Sequence, residues 1–546
     1  MILLVLLMCV LNCSRKRDAD ARRVLDGMGI ERKLGQMMIA GVPGANHTPE
    51  AAKIVTRVYI GGVVLFGYNL STRENNIQFI ESLQEDAMSS SGIPLFVSID
   101  QEGGRVLRIT DGVTQFPGNM ALGVGDDPGI TKKLARILGM QLRGCGVNMN
   151  LAPVIDVNNN PGNPVINTRS FGSRAALVSA MGAQYIRGLQ GSLCIAVGKH
   201  FPGHGDTNKD SHLTLPVVTH NWQRLRAIEL APFRRAVSAG VEAIMTAHIA
   251  YPNALGSHVP ATLSREMLTG LLRDEMRFEG LVITDDMEMA AVSSSIDIGE
   301  AAVRSVEAGA DIVLTSASGA SVYRIFDALR AAVAGGRISE ERVDRSVARI
   351  LELKLRYAIM DYENGMIRVA RPLYGKSELA LLERANEINR IASRNALYLH
   401  APSLRWPPGV FAARRIFYTN MPQMREELRA LGDWCTVAES RGRLDSLIAR
   451  GGQGETLVYY HVDKPFDGDL RRIAELSRRK GITLLVVSTN NPFPLAELRD
   501  CPPTLFSFSN TRESLRQTLA CLKGEFAPKR AINIDLGMRG KGDAGN

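Results

Sequence analysis

Eight short apolar runs, separated by longer amphipathic stretches between about residues 36 and 318, constrain this chain more than any other feature. They are Met37–Val42, Gly62–Phe66, Leu95–Ile99, Val147–Ile155, Ile195–Val197, Ala243–Thr246, Leu281–Ile283 and Asp311–Leu314. Unbroken apolar runs of this length suit strands buried on both faces, and intervening stretches long enough for a helix suit parallel crossovers. Eight such units predict a TIM-type (β/α)8 barrel.

The intervening stretches carry helix signals. Asp127 is placed to cap a helix that begins at Pro128, repeats apolar residues at Leu134, Leu138 and Leu142, and stops near Gly144-Cys145-Gly146. Gly240 ends another stretch just before the sixth run, and helix from about Ser339 to Ala358 closes the unit. The expected catalytic domain is 20–359. Residues 360–376 lose periodicity and predict a linker. Further apolar runs at Ala396–Leu399, Arg415–Tyr418, Leu457–Tyr460, Leu484–Val487 and Leu505–Phe508, separated by helical stretches, predict a smaller, doubly wound α/β sandwich over 377–546.

The surplus of 65 Lys and Arg over 56 Asp and Glu is scattered over predicted helices without a dense basic stripe, which argues against nucleic acid as a partner. Cys9, Cys13, Cys145, Cys194, Cys435, Cys501 and Cys521 lack the close spacing of a zinc or disulfide scaffold. The run from Met1 to Cys13 is too short to span a bilayer and is followed by Arg15, Lys16 and Arg17. It reads as an export signal, 1–13. Val10-Leu11-Asn12-Cys13 resembles a bacterial lipobox, although Asn12 is larger than the usual residue and no basic segment precedes the run. A start codon placed wrongly, or an unprocessed apolar tail, fits the same residues. The expected location is the periplasmic face of a bacterial envelope, with membrane contact only through a lipid anchor at Cys13.

In a barrel of this type the chemistry sits where strands end. The third run ends in Asp100-Gln101-Glu102-Gly103-Gly104-Arg105, the fourth in Asp156, the fifth in Lys199-His200, the sixth reaches His248, and the seventh ends in Thr284-Asp285-Asp286. One such carboxylate could be a helix cap; polar groups after so many strands predict a site. The segment Lys199–His212 holds three His and two Asp in fourteen residues, which raises a metal reading. His200 and His204 have the spacing of a helical zinc motif, but Pro202, Gly203 and Gly205 oppose a helix there. The expectation is no metal and no cofactor.

Several segments together resemble the β-N-acetylglucosaminidases of glycoside hydrolase family 3. They are Met28–Met37, Asp100–Arg105, Asn167–Gly172, Lys199–His212, Met245–His248 and Thr284–Met287, with looser likeness at Asn491-Pro492-Phe493 and Leu522–Glu525. The resemblance implies a retaining exo-β-N-acetylhexosaminidase with Asp285 as nucleophile and Asp210 and His212 as an acid/base pair. It also implies that Asp100, Arg169, Lys199 and His200 hold the sugar, and that Asp286 caps or orients. A retaining glycosidase needs one group to attack the anomeric carbon and another to shuttle the proton, which a carboxylate-oriented histidine can do. Glu102, followed by two glycines, reads as loop support. The expected substrates are N-acetylglucosamine-containing glycans or muropeptides from peptidoglycan. A β-N-acetylglucosaminide phosphorylase and a non-catalytic sugar-binding lipoprotein are the alternatives.

Overall fold

The computed structural model describes residues 16–211, 213–316, 319–369, 378–400, 415–419, 421–430, 435–453, 455–462, 468–489, 492 and 502–529. The export signal with Cys13, His212, Cys501 and Asn491 lie outside them. All eight predicted strands form: β1 Met38–Gly41, β2 Gly62–Leu65, β3 Phe96–Ile99, β4 Met149–Asn150, β5 Ile195–Phe201, β6 Ala243–Thr246, β7 Leu281–Ile283 and β8 Val313–Thr315. They pair in parallel in the order β7-β6-β5-β4-β3-β2-β1-β8, and the parallel bridge Ile283–Ile312 brings the two ends of the sheet together. The chain is therefore a (β/α)8 barrel here. Every strand residue is buried, which is why the strands read as continuous apolar runs instead of alternating ones.

Local chemistry sets the helix ends. Asp127 accepts from the Ile130 amide at 2.9 Å and opens the helix Pro128–Gly144, and Gly146 follows with φ +86°. Ser339 accepts from Arg342 N to start Glu340–Arg356. Within the expected linker, 360–376, residues 360–369 form an antiparallel hairpin of β9 Met360–Glu363 and β10 Met366–Val369. Asn364 and Gly365 turn it, both with positive φ.

The second sheet has six strands: β11 Tyr398–His400, β12 Arg415–Thr419, β13 Thr436–Ala438, β14 Thr456–Val462, β15 Thr483–Thr489 and β16 Thr504–Phe506. Its order is β11-β16-β15-β14-β12-β13, parallel except for β11 at one edge. Alternate residues of β14 pack to opposite sides. Val458 and Tyr460 join a cluster with Met424, Leu428, Leu515 and Leu519, whereas Leu457 and Tyr459 join Leu444, Leu447 and Ile473. Helices thus cover both faces, as a doubly wound sheet requires. The helix Glu378–Asn395 lies between this unit and the barrel, touching Pro128–Gly144 on one side and Arg512–Leu522 on the other. Lys529 ties the two further, donating to the carbonyls of Val124 and Gly125 at 2.9 and 2.7 Å.

Candidate active site

Each strand-end group emerges at the same end of the barrel. Asp100 follows β3 directly, Lys199 and His200 lie within the last residues of β5, and Asp285 stands two residues past β7. Together with Glu102, Arg169, His204, Asp210, Ser211 and Asp286 they line one cavity of about 350 Å³. Seven of the residues that carry the expected chemistry are thus brought together: Asp100, Arg169, Lys199, His200, Asp210, Asp285 and Asp286.

One wall is a buried ion cluster. Glu102, only 3% exposed, takes Arg169 in a two-pronged pair, Nε at 2.9 Å and the terminal nitrogen at 2.8 Å. Lys199 Nζ lies 2.8 Å from the same carboxylate and donates to Asp100 at 2.6 Å. Burial on its own would raise the Glu102 carboxyl, but Arg169 and Lys199 outweigh it and hold the group well below the usual carboxylate range. Burial likewise opposes the charge on Lys199, and Asp100 and Glu102 overcome it and raise its pKa. Paired with both, Glu102 orients the Arg169 and Lys199 cations.

Next to this ion cluster lies a group of histidines around Asp156. Asp156, fully buried, meets His200 Nδ1 at 2.8 Å and accepts from the backbone amide of His204 at 2.7 Å. His204 contacts Thr207 Oγ1 through Nδ1 at 2.9 Å and Ser211 Oγ through Nε2 at 3.0 Å. Both of its ring nitrogens are occupied within the chain. Burial and the neighbouring His200 push its pKa down to about 4. The segment can turn this tightly because Gly205 passes so close to the Val157 carbonyl that a Cβ would sit 1.8 Å from its oxygen. Asn163 then pins the turn, its side chain donating to the carbonyls of His204 and Gly205 at 2.8 and 3.0 Å.

Asp285 is half-buried in this cavity. Burial would raise its carboxyl, but His200, His248, the Asp286 amide at 2.8 Å and Lys199 hold it below its ordinary value. Asp286 differs from its neighbour: its Oδ1 accepts from the amides of Ser316 at 2.8 Å and Glu288 at 3.1 Å, fixing the loop after β8 to the loop after β7. His248 donates or accepts only within the chain, to Thr262 at 2.9 Å and the Asp286 carbonyl at 3.0 Å. Ser211, beside Asp210, is held through His204 and through its carbonyl to the Ala291 amide at 3.3 Å.

Sequence reasoning passes over Arg108. Its side chain lines the cavity, and its buried Nε has no hydrogen-bond partner among the described residues. Gln101 brings it there by accepting from the Arg108 amide at 2.7 Å and donating to the Ile109 carbonyl at 2.8 Å, which folds the segment after β3 back over the barrel. The available signal was that fold-back glutamine beside Asp100.

The glycosyl hydrolase family 3 N-terminal domain profile matches residues 29–353. Beta-hexosaminidase A of Pseudoalteromonas piscicida is 37% identical over 330 residues, 56% of this chain and 55% of that relative. Beta-hexosaminidase LpqI of Mycobacterium tuberculosis is 35% identical over 328 residues, 59% of this chain and 82% of its own length. The chain thus spans about half of the first relative. Among solved structures, a glycoside hydrolase family 3 beta-N-acetylglucosaminidase from Paenibacillus sp. str. FPU-7 superimposes with a TM-score of 0.83 at 34% identity, covering 94% of this chain and 100% of that one.

Proposed function

This chain belongs to glycosyl hydrolase family 3, and we propose that it is a retaining exo-β-N-acetylhexosaminidase that removes terminal β-linked N-acetylglucosamine from peptidoglycan fragments through a covalent glycosyl-enzyme. The observation that carries the reading is the sharing of one cavity by an ionised, half-buried Asp285 and the Asp100–Lys199–Glu102–Arg169 cluster. The names of the relatives, beta-hexosaminidases and a beta-N-acetylglucosaminidase, supply the sugar.

In this reading Asp285 attacks the anomeric carbon and the bond to the leaving oxygen breaks. Asp210 and His212 supply the proton and later take one from water. Asp100, Arg169, Lys199 and His200 grip the sugar, with Arg108 as a further donor. Charge-assisted bonds from cations already oriented by Glu102 need little reorganisation to do so.

Asp285→Asn is expected to lower turnover of every substrate by roughly 10⁴-fold or more, because an amide cannot form the glycosyl ester. His212→Ala should lose roughly 10²–10⁴-fold on a disaccharide but far less in the first step on an activated aryl glycoside, with azide restoring part of the rate. Equal losses on both substrates and no azide effect would remove His212 from the acid/base role. Sugar 1-phosphate formed on adding phosphate would replace hydrolysis with phosphorolysis.

Export and lipid attachment at Cys13, facing the periplasm, belong to the same proposal and are supported by the apolar run ahead of that cysteine. Among the described residues no helix is long and apolar enough to cross a membrane. Equal palmitate labelling of the parent and Cys13→Ser would exclude the anchor.

A further inference from the structure

The residues from Asp206 to His220 form one continuous segment that carries Asp210. Asn208, Lys209, Leu213, Thr214, Val217 and Thr219 are exposed, whereas Thr207, Ser211, Pro216 and Val218 are buried and tie the segment to Asn163, His204 and Ala250. Its two ends also meet. Asp206 Oδ2 lies 2.7 Å from His220 Nε2. Arg224 extends the contact, 3.8 Å from Asp206 and 3.3 Å from Glu229, and Glu229 is 2% exposed and takes Asn159 at 3.2 Å. The join is therefore anchored in the protein interior.

We infer that the Asp206–His220 pair is a positioning device, closing the base of the segment so that Asp210 is held at the cavity. This rests on the reading of Asp210 and His212 as the acid/base pair. The physical argument is entropic. Between those ties the exposed residues keep some freedom, and joining Asp206 to His220 removes part of it before substrate arrives. None of Asp206, His220, Arg224 and Glu229 lines the cavity, so the pair acts on the proton-transfer segment and leaves sugar binding alone. Asp206, His220 and Glu229 also present three ligand atoms within 4.8 Å of one another, a spacing a metal ion could use. Arg224 already supplies a cation at that cluster, so the closure is assigned to the side chains themselves.

The test uses the full chain with His220→Ala and His220→Gln, the latter keeping a polar nitrogen near the position of Nε2. On N,N'-diacetylchitobiose, His220→Ala should lower kcat by about tenfold or more with KM within about twofold. The first-turnover burst on a dinitrophenyl N-acetylglucosaminide, whose leaving group needs no proton, should stay within about twofold of the parent. His220→Gln should recover most of the chitobiose rate. Equal loss on both substrates, loss expressed in KM, or no loss at all would overturn the assignment, as would a chelator reproducing the defect in the parent. Asp210→Ala separates the two levels of argument. If it shows no leaving-group dependence, the acid/base reading fails; if it does and His220→Ala does not, only the positioning role fails.

Discussion

The two walls of the cavity bury polar groups by opposite means. On the side built from the ends of β3 and β5, Glu102, Arg169, Lys199 and Asp100 keep their charges because each finds an opposite charge within 2.9 Å. Among the histidines burial drives His204 and His248 toward the neutral form, and the His204 ring contacts hydroxyls while its backbone amide meets the Asp156 carboxylate. The difference suits different tasks. In the function proposed, cations oriented in advance grip a neutral sugar at little cost in rearrangement. The His204 imidazole, driven toward the neutral form, can hold Ser211 beside Asp210 without adding a positive charge that would compete for that carboxylate.

The sharpest way to break this contrast is to remove the shared anion of the charged wall. Glu102→Gln leaves Arg169 without its bidentate partner and Lys199 with Asp100 alone, in a place where the Lys199 side chain is 2% exposed. Removing one member of a buried ion cluster typically costs about 3–5 kcal/mol, because the remaining charges stay desolvated. The expected result is a loss of that order in denaturant unfolding at neutral pH, together with a fall in kcat/KM. Because the folded-state pKa of Glu102 is depressed, the stability it contributes is present above its ordinary value of 4.5 and disappears as the pH falls below it. The variant should lack that acid-side loss. A Glu102→Gln protein within about 1 kcal/mol of the parent would mean the cluster is solvated after all.

Much of this arrangement could be read from residues before any coordinates, and the exceptions have physical causes. The eight barrel strands were legible because strands buried on both faces are unbroken apolar runs. In the fourth run, 147–155, only Met149 and Asn150 form regular strand, and beyond them pairing to β5 continues through the parallel bridge Val154–Lys199. β13 escaped notice as a three-residue edge strand that is half-exposed. The hairpin at 360–369 was missed for a different reason. Its strands are charged and mostly exposed, so no apolar run marked them, although Asn364-Gly365 is a strong turn signal. In the site, Asp100, Lys199, His200 and Asp285 were legible because each stands at a strand end. The bond from Glu102 to Arg169 spans 67 residues, and no local pattern announces such a contact.

The histidine wall offers the finer test, through pH alone. His204 is 1% exposed, and its pKa falls from 6.5 to about 4 in the fold. Between those values the unfolded chain binds a proton at this residue and the folded chain does not, so stability must rise with pH across that window. Read downward, the contribution is fully present above 6.5 and is lost progressively as the pH approaches 4. The size of the shift limits the loss to about 3 kcal/mol. His248 shifts in the same direction, so the parent's total slope mixes the two. A His204→Gln variant isolates one of them: it retains an amide able to meet Thr207 or Ser211 but cannot titrate. Its unfolding free energy at neutral pH should fall modestly, and its decline between pH 6.5 and 4 should be shallower than the parent's. The ion-paired wall contributes little in this window, because Glu102 begins to matter only below 4.5. The two walls should therefore separate along the pH axis, histidines failing first and the carboxylate cluster later. Parallel curves for parent and variant from pH 6.5 to 4 would show that His204 takes up its proton while the protein is still folded. The description of that wall as uncharged would then fail for this residue.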